Sequence, residues 1–170
     1  IYMYNLSTNM ETQITTSGKA FYPKIYGNNI IWIDTRNGYS SDIGVYDLST
    51  NEETLLGLLY SKHPAIYGNR IVYQTDPDSI AIYDLSTSTV TTIVPHDTEY
   101  NVAIYGDKVV YAYTDRSSLN EIWMYNLSTN METQISTSET ANSPKVYGNR
   151  IVWADWRNEG SDIYMATLGS

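Results

Sequence analysis

The side chains best suited to chemistry in this sequence are two histidines and two pairs of aspartates. His63 and His96 lie in different segments, and no His-x-x-x-His spacing joins them. A single histidine in a loop is more often solvated than bound to metal, because a zinc site needs three or four ligands at set spacings. We therefore expect no catalytic residue, and acid/base chemistry at the histidines is left as the alternative.

The aspartate pairs could supply oxygen ligands to calcium. The pairs are Asp34 with Asp42 and Asp155 with Asp162. Arg36 lies between the members of the first pair and Arg157 between those of the second, and each offers a charge partner without any metal. The sequence predicts an Asp-Arg ion pair at both places, leaves calcium as the alternative, and indicates no other cofactor.

Two segments match the pattern for N-linked glycosylation, Asn5-Leu6-Ser7 and Asn126-Leu127-Ser128. The equivalent positions elsewhere hold Asp47 and Asp84, which cannot carry an N-glycan. Asp and Asn share the ability to hydrogen-bond the backbone of a turn. A turn-forming role therefore explains all four residues, and glycosylation is the alternative.

Composition excludes several classes of function. The 170 residues include 19 acidic and 10 basic side chains, a net charge of -9, which disfavours nucleic acid and anionic membrane surfaces as partners. The absence of cysteine excludes disulfides, zinc fingers and thiol catalysis. No apolar run reaches the ~18 residues of a membrane span, so we expect no direct membrane insertion. The sequence opens within a motif, and we expect it to be a piece of a longer protein.

One stretch of eight residues recurs four times and organises the chain. The copies are 25–32, 66–73, 104–111 and 146–153. Each places Gly-Asn or Gly-Asp between β-branched and aromatic residues, a pattern typical of two strands joined by a tight hairpin turn. The period is about forty residues, which indicates blades or solenoid turns. Residues 1–16 and 122–137 differ only at Tyr2/Trp123 and Thr15/Ser136, which indicates recent duplication.

Each repeat is interpreted as four strands, A to D. In the first complete repeat, A ends at Tyr26, B spans 29–34, C spans 42–48 and D spans 53–56. Strand B is apolar without alternation, as in strands covered on both faces, whereas strand D alternates. This decline in burial is typical of a β-propeller blade. Prolines 23, 64 and 144 are predicted to open strand A, where a missing amide hydrogen is harmless.

The predicted fold is an all-β propeller of about four four-stranded blades in one domain, residues 1–170. Its parts are a half blade at 1–16, full blades at 17–57, 58–94 and 95–137, and a last blade at 138–170 without its outer strand. Strand 11–15 is expected to complete the last blade and close the ring, which would remove exposed edges. An arc of a larger propeller, two chains sharing a ring, and self-association through unpaired terminal strands are the alternatives.

A four-strand meander places the A–B and C–D turns at one end of each blade, here called the turn end, and the B–C and D–A loops at the other, the loop end. The turns are nearly invariant between repeats, whereas the loops vary, and repeat proteins tend to place specificity on the varying surface. We therefore predict that a ligand contacts the loop end. The predicted ligand-binding residues are Tyr22, Arg36, Tyr39, His63, His96, Tyr100, Trp156 and Arg157.

Two ladders of aromatic residues recur at equivalent places in every repeat, Tyr4/Tyr46/Tyr83/Tyr125 and Trp32/Tyr73/Tyr111/Trp153. We predict that they pack between blades rather than bind a ligand.

Residues 144–165 resemble the TolB-type propeller repeats, and most closely those of archaeal cell-surface proteins. The most specific part is the Asp-x-Arg-Asn segment leading into Ser-Asp-Ile, at 34–43 and 155–163. The second and third repeats depart from this pattern. The resemblance covers nearly the whole chain and implies an extracellular or cell-surface module that binds a protein or glycan, or acts as a spacer, without catalysis. It leaves two alternatives, a polysaccharide lyase and a structural unit of a surface array.

Overall fold

The computed structural model describes residues 1–38, 40–94, 101–114 and 119–169. Within these ranges the chain forms seventeen β-strands and no helix, so no helix of the described residues could cross a membrane. The chain divides into two compact units, Ile1–Pro64 and Ala65–Ser170, and the boundary falls within one strand. The predicted all-β class is confirmed.

The first unit contains a hairpin followed by a four-stranded antiparallel sheet, which we call blade 1. The hairpin strands are β1 (Tyr2–Asn5) and β2 (Met10–Gln13). The strands of blade 1 are β3 (Ala20–Tyr26), β4 (Asn29–Asp34), β5 (Asp42–Asp47) and β6 (Glu52–Leu55), paired in chain order. These bounds lie within one residue of the predicted B, C and D strands.

Three further sheets follow, each a meander paired in chain order. Blade 2 consists of β7 (Lys62–Tyr67), β8 (Arg70–Gln74), β9 (Ile80–Asp84) and β10 (Thr89–Val94). Blade 3 consists of β11 (Ala103–Tyr105), β12 (Lys108–Thr114), β13 (Asn120–Asn126) and β14 (Met131–Gln134). The last blade has three strands, β15 (Ala141–Tyr147), β16 (Arg150–Asp155) and β17 (Asp162–Thr167).

Both kinds of turn have the predicted chemistry. The A–B turns are two-residue hairpin turns: in blade 1, Tyr26 pairs with Asn29 across the turn. Gly27 in this turn has a φ of 56°, which glycine adopts without strain. In the C–D turns a side-chain oxygen of Asn or Asp accepts a hydrogen bond from the backbone amide two residues later in the chain. These bonds are Asn5 to Ser7, Asp47 to Ser49, Asp84 to Ser86 and Asn126 to Ser128, at 2.7–2.9 Å.

A backbone hydrogen bond ties the two turns of each blade together. The amides of Leu48, Leu85, Leu127 and Leu168 donate to the carbonyls of residues 28, 69, 107 and 149, each at 2.8 Å. Because this bond recurs in every blade, both turns must keep their lengths. The near-invariance of the turn end in sequence therefore has a structural cause.

The prolines were predicted to open strand A, but in the structure they lie inside it. In β3 the register shifts between Phe21 and Lys24, and in β15 between Asn142 and Lys145. Pro23 and Pro144 fall in these bulges, each preceded by a residue with positive φ, Tyr22 and Ser143. The missing amide hydrogen is harmless there because a bulge interrupts the hydrogen-bond ladder.

Burial follows the predicted gradient from strand B to strand D. Strands β4 and β8 are buried from their second residue on, whereas β2 and β14 are exposed throughout. In the second unit the covered faces pack against each other between blades. Ile80 and Ile82 of blade 2 form a cluster with Tyr111 of blade 3, and Ile122 and Met124 of blade 3 do so with Trp153 of the last blade.

These clusters confirm packing between blades for three of the ladder residues. Tyr111 and Trp153 are buried in the clusters, and Tyr125 packs against the first of them.

Closure by the N-terminal strand is not observed. Among the described residues, β2 pairs only with β1, and the last blade keeps three strands. Ile14, which follows β2, is buried in a cluster with Ile30 and Trp32 of blade 1. This contact holds the hairpin to blade 1 within the first unit.

Blade 1 contains one position, residue 44, that has no room for a side chain larger than that of glycine. Gly44 lies directly opposite Trp32 in the β4–β5 ladder, and Trp32 is fully buried. A Cβ atom on Gly44 would lie 2.2 Å from Cε2 of that indole. Since Trp32 Nε1 also donates to Asp34 at 2.9 Å, the ring cannot move away without losing a buried hydrogen bond.

Replacement of Gly44 by alanine is therefore expected to destabilise the protein by about 1 to 3 kcal/mol, the usual cost of overpacking a core. Urea unfolding measures this change. Gly160→Ala is the control, because a Cβ there meets nothing within 4 Å, and it should change the free energy of unfolding by less than about 0.5 kcal/mol. Equal stability of the two variants would contradict the steric limit at Gly44.

Candidate binding site at the loop end

Asp34 is a buried carboxylate that joins strand B of blade 1 to its B–C loop. It accepts hydrogen bonds from Trp32 Nε1 at 2.9 Å and from the backbone amide and Nε of Arg36, both at 2.9 Å. Arg36 Nη2 completes an ion pair with Asp34 at 2.8 Å and also contacts the carboxylate of Glu53. Burial alone would raise the pKa of Asp34, but the hydrogen bonds from Arg36 and Trp32 outweigh it and lower the pKa to about 2.

Asp155 repeats this arrangement in the last blade. Its donors are Ser138 Oγ at 2.6 Å, Thr140 Oγ1 at 2.8 Å, Trp153 Nε1 at 3.1 Å and Arg157 Nη2 at 2.5 Å. The hydrogen bond from Arg157 holds the pKa of Asp155 well below its usual range. The same guanidinium lies 4.1 Å from the centre of the Tyr164 ring, a cation–π contact.

Both Asp-Arg pairs therefore form, and they fix the B–C loops. Arg36 and Arg157 are committed to these carboxylates, which reduces what either can offer a ligand. Asp42 accepts the backbone amides of Gly57 and Leu58 at 3.1 and 2.8 Å, so it fixes the following loop. Among the described residues, no three His, Asp or Glu side chains group as a metal site would require.

The other predicted ligand-binding residues are scattered over the two units. Tyr22 is exposed beside the bulge of β3, and His63 is partly buried in the first unit, where burial and then the charges of Lys62 and Lys24 lower its pKa. Trp156 is half exposed in the second unit. Tyr39, His96 and Tyr100 lie outside the described residues.

A cavity of about 230 Å³ opens at the loop end of blade 3. Its lining residues are Tyr113, Leu119, Glu121, Trp123, Gln134 and Glu139. Tyr113 ends strand β12, Glu121 and Trp123 belong to β13, and Glu139 lies in the loop that leads to the last blade. The B–C and D–A loops therefore contribute to the same cavity, as the meander topology predicts.

A short hydrogen-bond network holds the carboxylate of Glu121 in place. Ser136 Oγ donates to it at 2.5 Å, and the backbone amide of Glu139 donates at 3.0 Å. Ser136 Oγ in turn accepts the amide of Ile122 at 2.9 Å, and the amide of Asn120 donates to the carbonyl of Glu139 at 3.0 Å. The start of β13 is thus fastened to the D–A loop, and the cavity is built into the blade.

The indole of Trp123 is the most informative group in the lining. Its Nε1–H is buried and has no acceptor among the described residues, although a buried donor without a partner costs about 1 to 3 kcal/mol. Tyr113 meets the same indole edge to face, with ring centres 6.2 Å apart. The cavity therefore combines two carboxylates, two aromatic rings and one donor that lacks an acceptor.

Sequence reasoning did not single out this cavity, because its residues look like ordinary repeat positions. A signal was nevertheless present. Of the two differences between segments 1–16 and 122–137, one introduces Trp123 where the first copy has Tyr2, and the other introduces Ser136 where it has Thr15. Both changed residues lie at the cavity or hold its carboxylate.

A second cavity, of about 330 Å³, lies at the turn end between blades 2 and 3. An exposed ion pair crosses it, from Arg70 Nη1 to Asp107 Oδ1 at 2.7 Å. Beside it, Tyr105 lies with its ring centre 4.8 Å from both Tyr67 and Tyr147, so the innermost strands of three blades meet through tyrosines. Arg70 and Asp107 at this end pair with each other, whereas the indole N–H of Trp123 at the loop-end cavity has no acceptor among the described residues.

The low pKa of Asp34 predicts a specific pH dependence of stability. Because the pKa is lower in the folded chain than its ordinary 3.8, the ionised carboxylate adds stability above about pH 4, and this is lost as the pH falls through about 2. At 1.36 kcal/mol per pKa unit the contribution is about 2 kcal/mol. Asp34→Asn should therefore be less stable than the wild type near pH 6, and the two free energies of unfolding should converge near pH 2.

Urea unfolding at a series of pH values measures this difference. Asp162→Asn is the matched control, since Asp162 is exposed, and its curve should run parallel to that of the wild type. A constant gap between Asp34→Asn and the wild type at every pH would show that the charge of Asp34 does not contribute.

No protein-family model matches the sequence, and no curated protein matches it. Solved structures do match it. TolB from Acinetobacter baumannii superposes with a TM-score of 0.78 at 13% identity, covering 98% of this chain and 46% of that one. The β-propeller domain of the Trilobed protease from Pyrococcus furiosus gives 0.68 at 16%, covering 92% and 57%. The acylaminoacyl peptidase of Pyrococcus horikoshii gives 0.68 at 13%, covering 89% and 31%.

At these identities the similarity shows the fold alone, and the chain spans only 31 to 57% of the length of these three proteins. The part of the predicted resemblance that concerns archaeal cell-surface proteins is not tested by these matches. The predicted fold is confirmed: within the described residues the chain is a TolB-like β-propeller of about four blades.

Proposed function

We propose that this chain is a non-enzymatic binding module whose loop end holds a protein partner, with a lysine or arginine side chain of the partner entering the cavity of blade 3. The observation that carries the proposal is the lining of that cavity. Two carboxylates and two aromatic rings line it, on the end of the propeller where the repeats differ most, and one of the rings is the Trp123 indole, whose buried Nε1–H has no acceptor among the described residues.

The charges favour a basic side chain. Glu121 and Glu139 both line the cavity, and the whole chain carries a net charge of -9, which attracts a cation from solution. The faces of Trp123 and Tyr113 add cation–π attraction, typically about 0.5 to 2 kcal/mol. The volume of about 230 Å³ suits one long side chain rather than a folded ligand.

The indole N–H favours a polypeptide over a small cation. Trp123 Nε1–H needs an acceptor, and a peptide carbonyl next to the basic side chain supplies one. A glycan could offer hydroxyl acceptors, but it would bring no positive charge to the two carboxylates. We therefore take a protein as the partner. An extracellular or cell-surface location for this encounter is part of the proposal and is supported by the resemblance in sequence pattern.

Short peptides with one variable central residue test the proposal. On an immobilised array of pentapeptides with central Lys, Arg, Ala or Glu, the chain should bind the Lys and Arg peptides, and 300 mM salt should weaken the binding. Calorimetry on the best peptide then gives the affinity. Glu139→Gln is expected to reduce the free energy of binding by about 1 kcal/mol, because it removes one charge without changing shape.

Trp123→Tyr is the sharpest variant. It restores the residue found at position 2 in the duplicate segment, so the blade should still fold, yet it removes the indole N–H. Binding should weaken by about 1 kcal/mol or more. Asn69→Ala at the turn end is the matched control and should bind normally. Binding of the Glu peptides as tight as that of the Lys peptides, or loss of binding in Asn69→Ala alone, would contradict the proposal.

A further inference from the structure

The turns at the turn end are alike in length, but those around the cavity between blades 2 and 3 differ in sequence from the other copies. The two residues that follow the glycine of each A–B turn are Asn-Asn at 28–29, Asn-Arg at 69–70, Asp-Lys at 107–108 and Asn-Arg at 149–150. Only the turns of blades 2 and 3 combine an arginine with an aspartate of the next repeat. This combination forms the Arg70–Asp107 ion pair that crosses the cavity.

The C–D turn of blade 2, which borders the same cavity, differs as well. In the other three C–D turns the last residue is asparagine, whose side-chain oxygen accepts a hydrogen bond from the tyrosine five residues earlier. These bonds are Tyr4 to Asn9, Tyr46 to Asn51 and Tyr125 to Asn130, at 3.3–3.4 Å. Blade 2 has Ser88 at this place, which carries no carboxamide. Blade 2 thus departs from the repeat pattern in both of the turns that border the cavity.

The lining of this cavity mixes hydrogen-bond donors and acceptors. The carboxylates of Asp84 and Asp107 accept, the guanidinium of Arg70 donates, and the carboxamide of Asn69 and the hydroxyl of Ser86 do both. The side chains of the ion pair are still 42% and 53% exposed, for Arg70 and Asp107 respectively. The ion pair therefore leaves part of both groups accessible to a ligand.

Hydrogen bonds within the protein hold the walls of the cavity in place. The amide of Leu85 donates to the carbonyl of Asn69 at 2.8 Å, which joins the two turns of blade 2. The carboxylate of Asp84 accepts the amide of Ser86 at 2.8 Å, which fixes the C–D turn. A lining that is already ordered loses little conformational freedom when a ligand binds.

We propose that this cavity binds a neutral sugar ring. Each hydroxyl group of a sugar both donates and accepts a hydrogen bond, and therefore suits a lining in which donors and acceptors lie side by side. The ring of Tyr67, whose centre lies 4.8 Å from that of Tyr105, gives the cavity a flat apolar wall for the C–H face of the sugar.

The charges and the size of the cavity favour this class of ligand over others. The carboxylates of Asp84 and Asp107 disfavour an anion, and the guanidinium of Arg70 disfavours a cation. A volume of about 330 Å³ lies at the lower end of the range for small-molecule sites, which suits a sugar ring better than a folded segment of another protein.

Nuclear magnetic resonance with simple sugars tests the proposal. Methyl α-glucoside, methyl α-galactoside, methyl α-mannoside and N-acetylglucosamine are each added at about 10 mM, and at least one should receive saturation transferred from the protein. Titration of the best sugar should shift the amide signals of Gly68 and Gly106 most, since both glycines line the cavity. The corresponding glucuronate and glucosamine should bind at least about fivefold more weakly, because each carries a net charge.

Two variants remove the ion pair with residues that other blades carry at the same places. Arg70→Asn introduces the residue found at position 29, and Asp107→Asn that found at position 69, so both turns should still fold. Each should weaken sugar binding about fivefold or more, since each removes a charged hydrogen-bonding group. Arg150→Asn is the matched control, because Arg150 holds the same turn position but does not line the cavity, and it should bind as the wild type does.

Glu139→Gln, at the opposite end of blade 3, should also bind the sugar normally, so this proposal and the one for the loop end can fail separately. A panel in which no sugar receives saturation, or amide shifts that cluster at the loop end, would overturn the proposal. Equal sugar affinity of Arg70→Asn and Arg150→Asn, or binding of glucuronate or glucosamine as tight as that of the neutral sugars, would do so as well.

Discussion

Each sheet of the second unit carries apolar side chains on both of its faces, and such a sheet cannot be stable by itself. In blade 3 water must be excluded from Val109 and Tyr111 on one face and from Val110 and Ile122 on the other, which only adjacent sheets can achieve. This requirement explains why strand B is continuously apolar and why the outer strands, which no neighbour covers, alternate or are exposed.

Packing between sheets leaves the connections free to vary, and buried carboxylates then give the loops their shape. Asp34 and Asp155 each collect an indole N–H, a guanidinium and a backbone amide, so that an irregular loop is anchored to the end of a buried strand. In blade 3 the comparable task falls to Glu121, held by Ser136 and by the amide of Glu139. The cavity of blade 3 opens beside this carboxylate.

The fold could be predicted closely from the sequence, because its determinants are local and recur. Gly-Asn turns, the Asp or Asn that caps each C–D turn, and the apolar run of strand B act within a few residues, and four copies make each pattern unmistakable. The prolines were misplaced because a bulge depends on the register of two strands, which the sequence of one strand does not reveal. Ring closure was wrongly expected because edge pairing was considered without the packing of Ile14 against Trp32.

The candidate site was harder to predict, since it depends on contacts between loops far apart in sequence. Arg36 and Arg157 looked available for a ligand and are instead held by aspartates two residues away. Trp123 looked like one more aromatic of the repeat, and only the structure shows that its N–H lacks an acceptor among the described residues. The separation of turns and loops onto opposite ends followed from topology, because a meander places alternate connections at opposite ends of the sheet, whereas binding of a ligand at the loop end stays a prediction.

The Gly44–Trp32 contact has a consequence for how so repetitive a chain avoids misassembly. Near-identical repeats could exchange strands during folding, since a B strand from one repeat could pair with a C strand from another. The facing pairs differ in size, however: Trp32 with Gly44, Tyr73 with Ala81, Tyr111 with Trp123, and Trp153 with Tyr164. An exchange that placed Trp123 opposite Trp32 would force two indoles into the volume of one. The Trp32–Gly44 pair therefore disfavours pairing of the second strand of blade 1 with the third strand of blade 3 or of the last blade.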